Sequence, residues 1–119
     1  MGERFVRALA EKNAGELKAL LRADVDFRAM TPGRFWEPSG VEAIVDETLL
    51  GKWFEPEDEI TEIIELETGH VGPRDRVRYR FRVVSPDGDH VVEQQAYFDT
   101  DGQEISWLRI MCSGYLPDT

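Results

Sequence analysis

The chain has 119 residues, one cysteine and a formal net charge of −10. That length reads as one domain over 1–119 with room for an apolar core. A single cysteine excludes an internal disulfide, and the acidic excess repels phosphate backbones, so nucleic acid is not an expected partner.

Arg4 to Lys12 places Phe5, Ala8, Leu9 and Lys12 at helical spacing. Glu3, Glu11 and Glu16 interrupt any apolar run there, so no secretory leader is expected. No stretch approaches the roughly twenty apolar residues of a membrane span, and a cytoplasmic protein is the default expectation. Asn13 reads as an N-cap with Glu16 in capping-box position, opening a second helix to about Arg22 that buries Leu17, Leu20 and Leu21.

Val25 to Met30 alternates as a strand with Val25, Phe27 and Ala29 on its better-buried face. Thr31-Pro32-Gly33 breaks it, and Arg34-Phe35-Trp36 is a short aromatic segment at a sheet edge. Ser39 with Glu42 predicts a capped third helix carrying the stripe Val41, Ile44, Val45, Thr48 and Leu49. Gly51 loosens its end, and Pro56 cannot continue it. From Asp58 onward the chain reads as strands. Ile60 to Glu67 is the first, 68–73 a loop, and Arg76 to Val84 a strictly alternating second. A Pro86–Asp89 hairpin leads to His90–Asp99, and an Asp101-Gly102 hairpin leads to Glu104–Met111.

Two-residue turns at Asp87-Gly88 and Asp101-Gly102 would set the register by counting. Tyr79 then opposes Ala96, Gln94 opposes both Phe81 and Arg109, and Ala96 opposes Trp107. One face holds Val77, Tyr79, Phe81, Val83, Val92, Gln94, Ala96, Phe98, Ile105, Trp107, Arg109 and Met111. This nearly apolar face should carry the helices. The other face holds Arg78, Arg80 and Arg82, with Tyr97, Leu108, Ile110 and Cys112 as an apolar patch that suggests a dimer contact. The arginines read as a solvated cross-strand ladder, Arg80 opposite Gln95 and Arg82 opposite Glu93.

This element order resembles the nuclear transport factor two-like, or cystatin-like α+β, superfamily, and in particular its SnoaL-like group. That group includes ketosteroid isomerases, limonene epoxide hydrolases and polyketide cyclases. The markers are Asp24-Val25-Asp26-Phe27 after the helix pair, Gly40 opening the third helix, and Phe98-Asp99-Thr100-Asp101-Gly102 before a Trp-containing last strand. The resemblance spans nearly the whole chain. It implies a curved antiparallel sheet wrapped around three N-terminal helices as a cone with an interior pocket, and a homodimer through the outer sheet face.

The relatives' chemistry does not carry over. Where the isomerases keep a carboxylate near the end of the first strand, the matching position is Ala29. Where the epoxide hydrolases keep one after a Trp of the last strand, Trp107 is followed on its face by Arg109. His70 and His90 fall in or beside loops and read as surface residues, and no metal-ligand spacing or cofactor loop appears. The expected site is a pocket for a small, mostly apolar ligand. Its residues are Arg109 and Gln94, with Trp107, Tyr79, Trp36, Trp53, Phe98 and Met111 around them. Arg109 either anchors a ligand carboxylate or carbonyl or is pinned by an internal acid, Asp46 or Glu47. Three functions follow: a ligand-binding protein, an isomerase-, cyclase- or dehydratase-like enzyme using Asp46, Glu47 or Tyr79, or a dimerisation module.

Overall fold

The computed structural model describes residues 1–118. Two short helices, α1 (Gly2–Ala10) and α2 (Ala14–Leu20), form the bent pair. Asn13 caps α2 as its sequence predicts, its Oδ1 accepting from the Glu16 amide at 3.0 Å. Strands β1 (Leu21–Thr31) and β2 (Arg34–Trp36) precede a third helix over Ala43–Trp53, and β3 (Glu59–Val71), β4 (Arg74–Ser85), β5 (Gly88–Asp101), β6 (Glu104–Cys112) and β7 (Leu116–Pro117) follow. The expected 68–73 loop is mostly strand, since β3 and β4 stay paired as far as Val71 and Arg74. None of the described helices is long and apolar enough to cross a membrane.

The sheet runs β2-β1-β6-β5-β4-β3, with β7 paired to the start of β5. It is α+β as expected, but mixed, because β1 and β6 lie parallel. The helices cover its inner face. Phe5, Leu9, Leu17, Leu20, Ile44 and Leu49 pack with Phe27, Val77, Phe81 and Ile105 in one buried cluster. α1 approaches β4 so closely that a Cβ on Gly2 would stand 3.1 Å from the Cβ of Val77.

The hairpin between β4 and β5 turns one place earlier than counting predicts. Ser85 pairs with Gly88, leaving Pro86-Asp87 as the loop. Proline's fixed φ suits the first loop place, and Ser85 Oγ accepts from the Asp87 amide at 3.1 Å. The register therefore slips by two residues. Tyr79 opposes Gln94 instead of Ala96, and Phe81 opposes Val92. A slip of two keeps every side chain on its expected face.

The second hairpin departs further. Thr100 pairs with Ile105, but Asp99 pairs with Trp107, so Ser106 is an extra residue in β6. Its hydroxyl donates to the Asp99 carbonyl at 3.4 Å. Beyond this bulge the faces are exchanged. Leu108 and Ile110 point inward, 0% and 2% exposed, and Cys112 packs beside them against the core. Trp107, Arg109 and Met111 point outward, reversing the assignment that turn counting gives.

The third helix is a π-helix, wider than the α-helix its spacing predicts. The Thr48 hydroxyl donates five residues back, to the Ala43 carbonyl, at 2.9 Å. No side chain caps the start of this helix, so the expected Ser39 and Glu42 capping box does not form. Gly51 fits the wide turn because a Cβ there would lie 2.6 Å from the Asp46 carbonyl oxygen. Gly51→Ala should therefore destabilise the fold by about 1–3 kcal/mol, the usual scale of overpacking, read as a lower urea midpoint. An unchanged midpoint would show that the helix narrows without penalty.

Candidate functional site

The eight residues expected around one pocket divide among separate places. Tyr79 and Gln94 stand opposite each other on β4 and β5 and face the interior, 0% and 1% exposed. The Tyr79 hydroxyl donates to Gln94 Oε1 at 2.6 Å. Gln94 Nε2 is then buried with no hydrogen-bond partner, and Trp53 Nε1 is a second such donor. The amide exists in this position because the slipped register brings a glutamine, not Ala96, against the phenol. Trp36 meets Trp53 edge to face, ring centroids 6.0 Å apart, and its own Nε1 donates to Thr31 Oγ1 at 2.8 Å. Phe98 lies apart from these, lining a cleft of ≈ 360 Å³ at the N-terminus with Met1, His70 and Asp75.

The bulge carries Trp107, Arg109 and Met111 to the outer face, which removes Arg109 from the interior. Asp26, on the neighbouring β1, meets Arg109 Nη1 through its carboxylate at 3.1 Å and its carbonyl at 2.9 Å. The acids considered for this role stand elsewhere: Asp46 pairs with Lys18 at 2.6 Å, and Glu47 is exposed on the third helix. The guanidiniums of Arg74 and Arg109 both lie over the Trp107 ring, 3.5 Å and 4.2 Å from its centroid. The apolar patch expected from Tyr97, Leu108, Ile110 and Cys112 is correspondingly rebuilt. Tyr97 stays outside, and Trp107 and Met111 replace the other three.

The arginine ladder is a network of ion pairs across β3, β4 and β5. Arg76 reaches Glu67, Arg78 reaches Glu65 and Glu93, Arg80 reaches the same two, and Arg82 reaches Glu62 and Asp118. With the slipped register Arg80 opposes Glu93 and Arg78 opposes Gln95. The hydrogen bond from Arg76, and then the charge of Arg78, hold the Glu67 carboxyl below its ordinary range. These arginines have their counter-charges already and are not an open anion site.

Asp58 is the one buried carboxylate among the described residues, at 6% exposure. It faces a tether and not the Tyr79–Gln94 pair. Its Oδ2 accepts from the Tyr115 hydroxyl at 2.8 Å and from the Glu55 amide at 3.2 Å. The same Tyr115 proton is shared with the Trp53 carbonyl, 2.8 Å from the hydroxyl, and Lys12 donates to the carbonyls of Glu55 and Asp58. The tail after β6, the end of the third helix and the junction of α1 with α2 are thus joined by polar contacts. No spacing or motif marks the tail for this role; its one sign in the sequence is an aromatic residue, Tyr115, beyond the last strand. His90 rests beside the Tyr115 ring, with its Nε2 3.0 Å from Ser85 Oγ, and His70 is exposed beside Asp75.

No family model matches the chain, and no curated protein matches its sequence. Solved structures do match its shape. A hypothetical protein from Catenulispora acidiphila with a ketosteroid isomerase-like fold, in complex with trimethylamine, is 17% identical at a TM-score of 0.68, over 93% of this chain and 83% of that one. An epoxide hydrolase from M. tuberculosis, of the LEH-like kind, is 15% identical at 0.64, over 93% and 78%. A Shewanella putrefaciens protein assigned as a SnoaL-like polyketide cyclase is 14% identical at 0.68, over 93% and 85%. The fold shared with these structures is an α+β cone, three helices on a curved sheet. At these identities the likeness carries the architecture and none of the activities.

The tether gives a measurable expectation. Phe in place of Tyr115 leaves Asp58 without its hydroxyl donor and should lower stability by about 1–3 kcal/mol in urea titration. Burial, and then Asp58, raise the Tyr115 pKa above the ordinary phenol value, and burial does the same for Tyr79. A phenol whose folded pKa is raised contributes stability that is full below its unfolded pKa of about 10 and is lost as pH rises through the folded value. Stability should therefore fall above about pH 10, and Tyr115→Phe should make that fall shallower. An equal slope in the two proteins would show that Tyr115 ionises as freely folded as unfolded.

Proposed function

We propose that the protein binds a small, mostly apolar, neutral carbonyl compound inside its cone, with Gln94 Nε2 donating to the carbonyl oxygen. The observation that carries this reading is the unpartnered Gln94 amide at 1% exposure. A buried donor without an acceptor costs about 1–3 kcal/mol, and a ligand oxygen would recover that. Trp53 Nε1 adds a second unpartnered donor in the same interior. The anchoring role expected of Arg109 thus passes to Gln94, and the ligand class narrows. With no cation among the buried described residues, a carboxylate would enter at a high desolvation cost, whereas a ketone, ester or amide would not.

Binding without turnover is the reading favoured here. Moving a proton next to a carbonyl needs a base within hydrogen-bond reach. Asp58, the buried carboxylate, is engaged by Tyr115 and the Glu55 amide, and Asp46 and Glu47 lie on the surface of the third helix. Tyr79 is held protonated by burial and spends its proton on Gln94, which suits a positioning role.

The test pairs stability with binding. A thermal-shift panel of neutral aryl and alkyl ketones should contain members that raise the melting temperature. In Tyr79→Phe/Gln94→Leu both polar partners leave together, so the apo protein should keep its stability to within about 1 kcal/mol while those shifts vanish. Shifts of unchanged size in the double variant, or none from any ketone in the wild type, would remove the reading.

A further inference from the structure

Nearly every cation of this acidic chain is already engaged. Of its fourteen lysines and arginines, only Arg28, Arg34 and Lys52 lack both an ion pair and a hydrogen bond among the described residues. Arg34 and Lys52 lie over the Trp36 ring, 3.6 Å and 5.9 Å from its centroid. Arg28 has no hydrogen-bond, ion-pair or aromatic partner among the described residues. It is exposed on β1, on the outer face, directly beside Arg109 of β6 in the parallel register.

The two arginines open onto one cleft of ≈ 280 Å³, walled by Met30, Phe35, Tyr97 and Met111. Phe35 is 77% exposed and Met111 54%, both unusual for large apolar side chains. Among the described residues no carboxylate lines the cleft itself, Asp26 meeting Arg109 from outside it. Asp26 engages Arg109 through Nη1 alone, leaving Nε and Nη2 without hydrogen bonds among the described residues. In a chain of net charge −10, this places two adjacent guanidiniums with unspent donors against an apolar wall.

We propose that this outer cleft binds a small organic monocarboxylate with an alkyl or aryl body. Arg28 and the free edge of Arg109 would hold the carboxylate, and Phe35, Met30 and Met111 would cover the body. Guanidinium donors match carboxylate geometry, and the unpaired charge of Arg28 gives it the larger share. The volume suits a ligand at the small end of the usual range and is far too small for a folded partner. A second copy of the chain, the expected occupant of this face, fits it less well. A two-fold contact centred here would gather four guanidiniums, Arg28 and Arg109 from each copy, against only the two Asp26 carboxylates that already engage Arg109, and each copy carries a net charge of −10. This proposal is independent of the interior site, which lacks cations and favours neutral ligands.

Octanoate, methyl octanoate and octylammonium are suitable probes, titrated by calorimetry and by ¹⁵N-edited NMR. Octanoate should bind, shift the amides of Arg28, Phe35 and Arg109, and weaken with added salt. Methyl octanoate should bind at least tenfold more weakly, and octylammonium not at all. Arg28→Met should cost octanoate at least tenfold while Arg28→Lys recovers part of the loss; Arg28 is exposed, and circular dichroism checks that both variants fold. Tyr79→Phe/Gln94→Leu should bind octanoate as the wild type does, which separates this site from the interior one. Equal binding of acid and ester, equal binding by Arg28→Met, or no octanoate binding at all would overturn the proposal. In the last case, sedimentation showing a dimer that Met111→Glu dissociates would assign the face to a second copy.

Discussion

Ser106 has no partner on β5, and that single unpaired residue sets the facing of all of β6 that follows it. Strand side chains alternate with a period of two, so one insertion exchanges the inner and outer sets. Leu108 and Ile110 fill the interior only because of it, and both are almost fully buried. The same exchange turns Arg109 toward Asp26 and Trp107 toward Arg74. Had the ladder continued unbroken from Ile105, a guanidinium would stand in the apolar core and two large aliphatic side chains would face water. The bulge therefore reconciles a sequence that places apolar residues on both sides of one strand with a sheet that has one covered face.

The sequence-level reading of β4 and β5 survives an error that the reading of β6 does not. Placing the loop at Asp87-Gly88 instead of Pro86-Asp87 moves each partner by two, which preserves parity, so Tyr79, Phe81, Val92 and Gln94 face inward as expected. What the slip changes is pairing, and the Tyr79–Gln94 hydrogen bond was invisible for that reason. A bulge moves partners by one and leaves no compositional mark; Ser106 is an ordinary strand residue in sequence. The third helix was legible as a helix from Ile44, Val45, Thr48 and Leu49, but its widened pitch was not, since the α and π periods agree over so short a stripe. The Asn13 cap was readable because its mechanism is local: one side-chain oxygen and an amide three residues on. Trp36, Trp53 and Phe98, expected around one pocket with Arg109, lie at separate places around the cone, a dispersal set by tertiary packing that no spacing encodes.

The distribution of charge follows one pattern. Glutamates of β3 and β5 neutralise the arginines of β4, so the most basic run in the sequence is electrostatically closed. The interior keeps donors without charge, Gln94 Nε2 and Trp53 Nε1. The open positive charge is left where β1 and β2 meet the third helix, around Phe35 and Trp36. An acidic protein thus presents its few available cations together with its most exposed aromatic ring. Net charge alone, read from composition, gives no sign of this local reversal.

The parallel pairing of β1 with β6 has a bearing on how the chain is made. Residues 21–31 find their long neighbour at 104–112, and the only other strand beside them, β2, offers three residues. A chain emerging from the ribosome has therefore synthesised α1, α2 and β1 well before β6 exists to take up the hydrogen-bonding edge of β1. Closing so long a loop is entropically slow, and the strand edge that β6 will take stays unpaired until then. The acidic stretch Asp24-Val25-Asp26 places charge within that segment at the moment it is unprotected, and Asp26 later receives Arg109 as the sheet closes.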